Sequence, residues 1–210
     1  MSGPLGPAAI LGVILAGGQS LRLGGGDKGL RLLAGRTLID HVAERLKPQV
    51  WRLILNANGD PARFAGLPFP VVADTLPDQP GPLAGLLAGL RYAATATPAV
   101  SHVLTAAADT PFLPTDLAER FAAALDRTGA EIALATSASG VHPVVALVPV
   151  GVADRLEADL VSGAARRVLG WLRQSAVAEV AFSGEPDPFF NINTPEDLAE
   201  AERYAAARIG

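Results

Sequence analysis

Apolar residues fall along this chain in short bursts broken by glycine, proline or charged residues, and the spacing inside the bursts is of two kinds. Ile10–Leu15 is a continuous apolar run ending in Ala16, Gly17 and Gly18, as expected of a strand buried on both faces and followed by a turn. Leu38, Val42 and Leu46 then recur every four residues behind Thr37, with Arg45 and Lys47 near the end and Pro48 as a stop. That pattern predicts a first helix with a threonine cap. Residues 50–55 read as a second strand, 70–73 as a short third, 83–94 as a helix of small residues and His102–Ala107 as a fourth strand. Past Asp109, residues 114–125 read as a helix, and 130–136 and 142–148 as strands about the turn Ser137-Ala138-Ser139-Gly140. Helices follow at 152–161 and 166–173, then a strand at 177–182. Thr194, Pro195, Glu196 and Asp197 open a last helix with a capping residue, a proline at the first position and two early acids.

Strands alternating with helices in this way predict an α/β fold: a single domain with an open, mostly parallel, Rossmann-like sheet and helices on both faces. In such a sheet the ligand crevice lies at the carboxyl ends of the strands, so chemistry should collect in the loops there. Residues 1–8 read as a flexible tail and residues 9–210 as the domain, since 210 residues suffice for one core and no repeat or linker divides them.

Composition narrows the function classes. At 50% hydrophobic and 18% charged residues, the chain is not of the disordered kind. Its mean hydropathy of +0.31 raises the question of a membrane span, yet no run approaches the roughly 20 apolar residues a bilayer requires. The first basic residue is Arg22, so the apolar stretch before it lacks the basic flank of a secretion signal and is expected to be a buried strand. With 17 basic and 21 acidic residues, the net charge of −4 offers no global field for nucleic acid. The absence of cysteine excludes disulfides, iron–sulfur clusters and thiolate zinc sites, and His41, His102 and His142 are too dispersed to suggest an imidazole metal centre. The expected setting is a reducing cytoplasm, with neither nucleic acid nor membrane as partner.

The segment richest in chemistry runs from Leu15 to Lys28. Gly17 and Gly18 allow backbone N–H groups to approach phosphate oxygens, and Arg22 and Lys28 add the positive charge that amides lack. This reads as a polyphosphate cradle. It is not a P-loop, because Lys28 is followed by Gly29 rather than Ser or Thr, and Gly24-Gly25-Gly26 does not make a dinucleotide fingerprint. Asp109 ends the apolar run 103–108, which puts a hard carboxylate at the crevice where a phosphate-bridging cation would sit; the alternative is an acid at a helix start before Pro111. Asn191 and Asn193 flank Ile192 at period two, so both amides share a face of an extended segment, either toward the crevice or in support of the cap at Thr194. His142 before Pro143 either contacts a ligand or is simply packed, and Arg166 with Arg167 reads as a solvated helix face. No Ser/His/Asp array stands out along the sequence.

These residues resemble a known family. The pattern L-A-G-G-x-x-x-R-M-G-x-x-D-K belongs to the molybdenum cofactor guanylyltransferases, and here it reads from Leu15 to Lys28 with Leu23 in place of the usual Met, an apolar swap of similar volume. The resemblance continues through Asn56-Ala57-Asn58, Asp74, Gly81-Pro82-Leu83-Ala84-Gly85, Asp109-Thr110-Pro111, His142-Pro143 and Asn191 to Asp197, spanning nearly the whole chain. It implies that Leu15, Ala16, Gly17 and Gly18 contact the nucleotide, Lys28 its phosphates, and Asn56 and Asp74 the nucleoside. Asp74 would either read the N1–H and amino donors of guanine or bond the ribose hydroxyls, and as a bare sequence feature it is also an ordinary turn residue. Asp109 would hold Mg²⁺, Arg22 and Lys28 would neutralise the departing pyrophosphate, and Asn191 or Asn193 would touch the pterin or metal-bound water. The implied reaction transfers GMP from GTP to the phosphate of molybdenum-molybdopterin. An accessory GTP-binding protein and the molybdoenzymes or their chaperones would be further partners. The rival readings are a cytidylyltransferase acting on the same pterin, whose first motif usually reads L-A-A-G where Gly17 stands here, another small-phosphate nucleotidyltransferase, and a nucleotide-binding module without catalysis.

Overall fold

The computed structural model describes residues 5–17, 27–76, 81–96 and 100–207. After a 3-10 turn at Pro7–Ala9, β1 (Ile10–Leu15) runs through the middle of the molecule. A small antiparallel hairpin of β2 (Leu32–Leu33) and β3 (Arg36–Thr37), which the hydrophobic pattern does not announce, leads into α1 (Leu38–Leu46). The chain continues through β4 (Arg52–Asn56), β5 (Val71–Val72), α2 (Pro82–Ala96), β6 (His102–Ala107) and α3 (Leu117–Thr128). It ends with β7 (Ile132–Ser137), β8 (Gly140–Pro149), α4 (Ala153–Val161), α5 (Val168–Leu172), β9 (Val177–Ala181) and α6 (Pro195–Ala207).

Seven strands form one sheet in the order β5-β4-β1-β6-β8-β7-β9, with β8 antiparallel to its neighbours β6 and β7 and every other pairing parallel. The chain leaves β1 toward β4 and β5 on one side and returns to β6 on the other. The carboxyl ends of β1 and β6 therefore flank the point where strand order reverses, the place where open α/β sheets bind ligands.

Period-two alternation decides which face each strand residue joins. Ile10 and Ile14 of β1 pack with Val42 and Leu46 of α1 and Leu117 and Phe121 of α3, while Leu11, Val13 and Leu15 pack with Leu87 and Leu90 of α2 and Leu156 of α4. A third, smaller cluster joins Leu33, Leu38, Phe112, Ile192 and Ala201, and so anchors α6 beside the β2–β3 hairpin.

Two local departures from the sequence expectation have clear causes. Helix α3 begins at Leu117 rather than at Pro114, because its first turn is capped from a distance. The buried Gln49 accepts from the N–H of Ala118 (2.9 Å) and donates to the carbonyl of Pro114 (2.9 Å), so residues ahead of Leu117 serve as the cap rather than as helix. Strand β8 is not the even strand expected over 142–148. Its register to β7 jumps from Leu134↔Ala146 to Ala135↔His142, and the residues left over include Pro143, which has no N–H to give to a ladder. The buried Thr105 of β6 donates to the carbonyl of Val144 at 2.7 Å and so satisfies the bulge from below.

Candidate active site

The bulge in β8, the ends of β1 and β6 and the loop before α6 enclose a cleft of about 580 Å³. Leu15, Ala16 and Gly17 line it from β1, Asp109 from β6, Lys28 from the chain just before β2, and Asn191 and Asn193 from the segment before α6. Seven of the expected site residues thus share one cavity. Gly18 and Arg22 lie outside the described residues.

Main-chain bonds hold these pieces in place. The N–H of Ala16 donates to the carbonyl of Asn56 (2.9 Å) and the N–H of Ala108 to that of Leu15 (3.0 Å), which extend the ladders one residue past the strands. Ile192 donates its N–H to the carbonyl of Asp109 (3.1 Å) and buries its side chain, leaving the asparagines on either side facing the cleft. The cap of α6 is made by Thr194 and Asp197: Asp197 N–H donates to Thr194 Oγ1 (3.1 Å), and Asp197 Oδ2 accepts from the N–H groups of Asn193 (2.8 Å) and Thr194 (2.9 Å). The side chain of Asn193 is not needed there. Its Oδ1 accepts instead from Lys28 Nζ.

Lys28 is the electrostatic centre of the cleft. Its ammonium forms an ion pair with Asp109 Oδ2, and both side chains are under one-fifth exposed. The other carboxylate oxygen, Asp109 Oδ1, is buried and accepts no hydrogen bond among the described residues. An unpaired buried carboxylate oxygen costs free energy unless something cationic or proton-bearing comes to it. Among the described residues no group of three or more His, Cys, Asp or Glu side chains is arranged to hold a metal ion. A cation at Asp109 would therefore take its remaining ligands from phosphate and water, which suits a hard, oxygen-seeking ion such as Mg²⁺.

Beside the cleft, at the ends of β4 and β5, Asp74 is held by two asparagines. Asn56 Nδ2 donates to Asp74 Oδ1 (2.8 Å) and to the carbonyl of Val72 (3.2 Å), and Asn58 Nδ2 donates to Asp74 Oδ2 (2.7 Å) while its Oδ1 accepts from the N–H of Asp74 (2.9 Å). The carboxylate is thereby fixed in one orientation, with lone pairs to spare on each oxygen. Arg63, which no sequence pattern singles out, ties this cluster to the Lys28 side of the cleft: it donates to the carbonyl of Asn58 and pairs with Asp27 Oδ2 at 2.8 Å, next to Lys28. Helix α2 comes close to both clusters because Gly85 has no side chain. A Cβ there would stand 2.2 Å from Asn56 Oδ1 and 2.6 Å from Leu15 Cδ2.

The structure also corrects the sequence reading on one point, since a Ser/His/Asp array does exist. Ser137, His142 and Asp187 meet where β7 and β8 join, with the Ser137 hydroxyl 2.7 Å from His142 Nε2 and 2.7 Å from Asp187 Oδ2. Ser137 gives its proton to the aspartate, so it is not the nucleophile of a hydrolytic triad, in which the serine proton goes to histidine. Fifty positions separate Ser137 from Asp187, which hides the array from any local pattern.

Comparison with known proteins agrees with this geometry. Residues 12–177 match the model of the MobA-like NTP transferase domain. A molybdenum cofactor guanylyltransferase from Bradyrhizobium sp. (strain ORS 278) is 51% identical over 199 residues, covering 94% of each chain, and one from Nitrobacter hamburgensis is 50% identical, covering 93% of this chain and 94% of its own. Among solved structures, the molybdopterin-guanine dinucleotide biosynthesis protein A of Archaeoglobus fulgidus superposes with a TM-score of 0.76 at 26% identity, over 94% of this chain and 99% of its own. With a cleft at the strand-order reversal, a lysine–aspartate pair inside it and relatives this similar across nearly the full length, the chain belongs to the MobA-like NTP transferase family.

Proposed function

We propose that the protein transfers GMP from GTP to the terminal phosphate of molybdenum-bearing molybdopterin and releases pyrophosphate. The observation that carries this reading is the Lys28–Asp109 pair, with its unsatisfied Asp109 Oδ1, at the ends of β1 and β6. In the free protein the ammonium and the carboxylate neutralise each other. A nucleoside triphosphate with its cation gives each a better partner, phosphate for Lys28 and the cation for Asp109.

In the reaction an oxygen of the pterin's phosphate attacks the α-phosphorus of GTP. A new P–O bond forms, the bond from the α-phosphorus to the bridging oxygen breaks, and pyrophosphate departs with that oxygen's electron pair. The nucleophile belongs to the substrate, so no protein nucleophile takes part and catalysis is positioning plus charge stabilisation. Lys28 neutralises charge on the departing phosphates, in concert with Arg22 on the glycine-rich loop. The backbone N–H groups after Leu15 receive phosphate oxygens at the end of β1. Asp109 would hold Mg²⁺, which would supply Lewis-acid neutralisation of charge on the phosphates. Asp74, oriented by Asn56 and Asn58, accepts hydrogen bonds from the N1–H and amino group of guanine. Asn191 and Asn193 contact the pterin substrate. The nucleoside triphosphate substrate places the enzyme in the cytoplasm.

The test is to incubate the purified protein and Mg²⁺ with the pterin substrate and either GTP or CTP, identifying the nucleotide-linked product by mass. GTP should give the guanine dinucleotide and outcompete CTP, because cytosine has an acceptor, N3, beside its amino group where guanine has N1–H, and so leaves an acceptor at Asp74 unpaired at about 1–3 kcal/mol. Equal or preferred use of CTP overturns the guanine assignment, and absence of pyrophosphate release with either nucleotide overturns catalysis.

A further inference from the structure

The nucleotide chemistry leaves one polar network in the cleft unused. His142 lines the cavity from the β8 bulge, and its ring lies 4.5 Å from that of Phe189, tilted by 37°. Phe189 is itself 2% exposed and lines the same cavity, so the imidazole rests on a fixed aromatic floor.

The hydrogen bonds determine which nitrogen of that imidazole carries the proton. A serine hydroxyl has one proton and two lone pairs. Ser137 donates its proton to Asp187 Oδ2 and accepts at 3.3 Å from the N–H of Ser139, while the Ser139 hydroxyl, 3.0 Å from Ser137 Oγ and 3.5 Å from His142 Nε2, gives its own proton to Asp187. Burial raises the Asp187 carboxyl, but hydrogen bonds from Ser137, the Phe189 N–H and Ser139, together with His142, hold it below its ordinary value, so it is an acceptor only. What Ser137 has left for His142 Nε2 is a lone pair, and Nε2 must bring the hydrogen. Burial lowers the pKa of His142 against an opposing pull from Asp187, which keeps the ring neutral near neutral pH. A neutral ring protonated on Nε2 carries a lone pair on Nδ1, and Nδ1 has no hydrogen-bond partner among the described residues.

Sheet order says what that acceptor faces. Along the edge where the strands end, the Asn56–Asp74 cluster stands at β4 and β5, the phosphate residues at β1 and β6, and His142 on β8 beyond them. The nucleoside is on one side of the phosphates, so His142 is on the side of the acceptor substrate. We propose that His142 recognises the heterocycle of the second substrate, its Nδ1 accepting a hydrogen bond from a pterin N–H while the ring system packs against the His142–Phe189 pair. Ser137 and Asp187 are positioning residues that hold the imidazole in the tautomer this requires. The inference rests on the pterin reading given above and adds to it the group that selects an N–H-bearing ring over a plain phosphate.

Three substitutions separate the elements of the proposal. His142→Gln can still donate to Ser137 from its amide but has no acceptor in the Nδ1 position, His142→Phe keeps an aromatic ring on Phe189 without either nitrogen, and His142→Asn restores an oxygen near the Nδ1 position. Binding is followed by the fluorescence of a simple pterin lacking phosphate and metal, and separately by the KM of each substrate in the transfer reaction, with melting curves as a folding control. The Gln and Phe variants should weaken pterin binding and raise the pterin KM about tenfold or more, the Asn variant should recover part of the loss, and the KM for GTP should stay within twofold. In ¹⁵N spectra of the wild-type full chain, Nδ1 of His142 should resonate as an unprotonated nitrogen and move when pterin is added. A folded Gln variant with wild-type pterin KM, or a protonated Nδ1 in the free protein, overturns the role of His142 while leaving the transferase reading intact. A wild-type enzyme that transfers GMP only to phosphate acceptors without a pterin overturns the reading beneath it.

Discussion

Replacing Gly85 by alanine tests whether the approach of α2 to the sheet sets nucleotide affinity. The added methyl would stand 2.2 Å from Asn56 Oδ1 and 2.6 Å from Leu15 Cδ2, both inside van der Waals contact. Asn56 is 4% exposed and uses its amide protons on Asp74 and Val72, so it cannot move aside without losing those bonds. Two effects on stability oppose each other. Alanine gains up to about 1 kcal/mol over glycine within a helix, and crowding a packed interface costs about 1–3 kcal/mol. The net loss should be at most about 3 kcal/mol, which the melting curve checks directly. The effect on function is larger, since the bond from Asn56 to an ionised Asp74 contributes about 1.5–3 kcal/mol. Losing it should raise the KM for GTP by about 10- to 100-fold. The control is Gly89→Ala, one turn further along α2, where the methyl would meet only apolar atoms, among them Val13 Cγ2 at 2.6 Å. Initial rates against GTP concentration, with thermal melting of both variants, make the comparison. A folded Gly85→Ala enzyme with a KM within twofold of wild type, or a Gly89→Ala enzyme with an equal rise, would show that the approach of α2 to Asn56 does not set nucleotide affinity.

Further outcomes follow from the same structure. Thr105→Val conserves shape but strips the Val144 carbonyl of its 2.7 Å donor, so urea unfolding should show a loss of about 1–3 kcal/mol, and a change under 0.5 kcal/mol would contradict the role given to Thr105. Burial lowers the pKa of His102 in the folded state, whereas the unfolded chain titrates near the ordinary value of about 6.5. The unfolded state then binds its proton first, so this contribution is complete above pH 6.5 and is lost as pH falls from there toward the folded pKa. His142 acts in the same direction, so the His102→Gln variant should show a smaller fall in Tm from pH 7.5 to 5.5 than wild type, not the same one.

The frame of the fold was readable because burial on both faces writes near-continuous apolar strands such as Ile10–Leu15 and, apart from Thr105, residues 103–107, and because helix α1 carries its own cap at Thr37. Cues that act through space were not. The cap of α3 comes from Gln49, and the bulge of β8 depends on Thr105 two strands earlier in the chain. The site divides in the same way. Lys28 closes the glycine-rich loop that follows β1, Asp109 stands just past β6 and Asn191 and Asn193 beside a helix cap, where sequence position alone indicates the crevice. Arg63, Phe189 and the partners of His142 acquire meaning only when β4, β7 and the loop before α6 are brought together.

The most direct test of the account is product formation as a function of Mg²⁺ concentration, for wild type and Asp109→Asn, with melting curves alongside. Asparagine keeps the size of the side chain and removes the charge on the buried, unpartnered oxygen. If Asp109 holds the cation, transfer should slow by about 10²–10³-fold, equivalent to roughly 3–4 kcal/mol, and raised Mg²⁺ should recover part of it. Wild-type rates at low Mg²⁺ in a folded Asp109→Asn protein would contradict the account and remove its only assigned cation ligand.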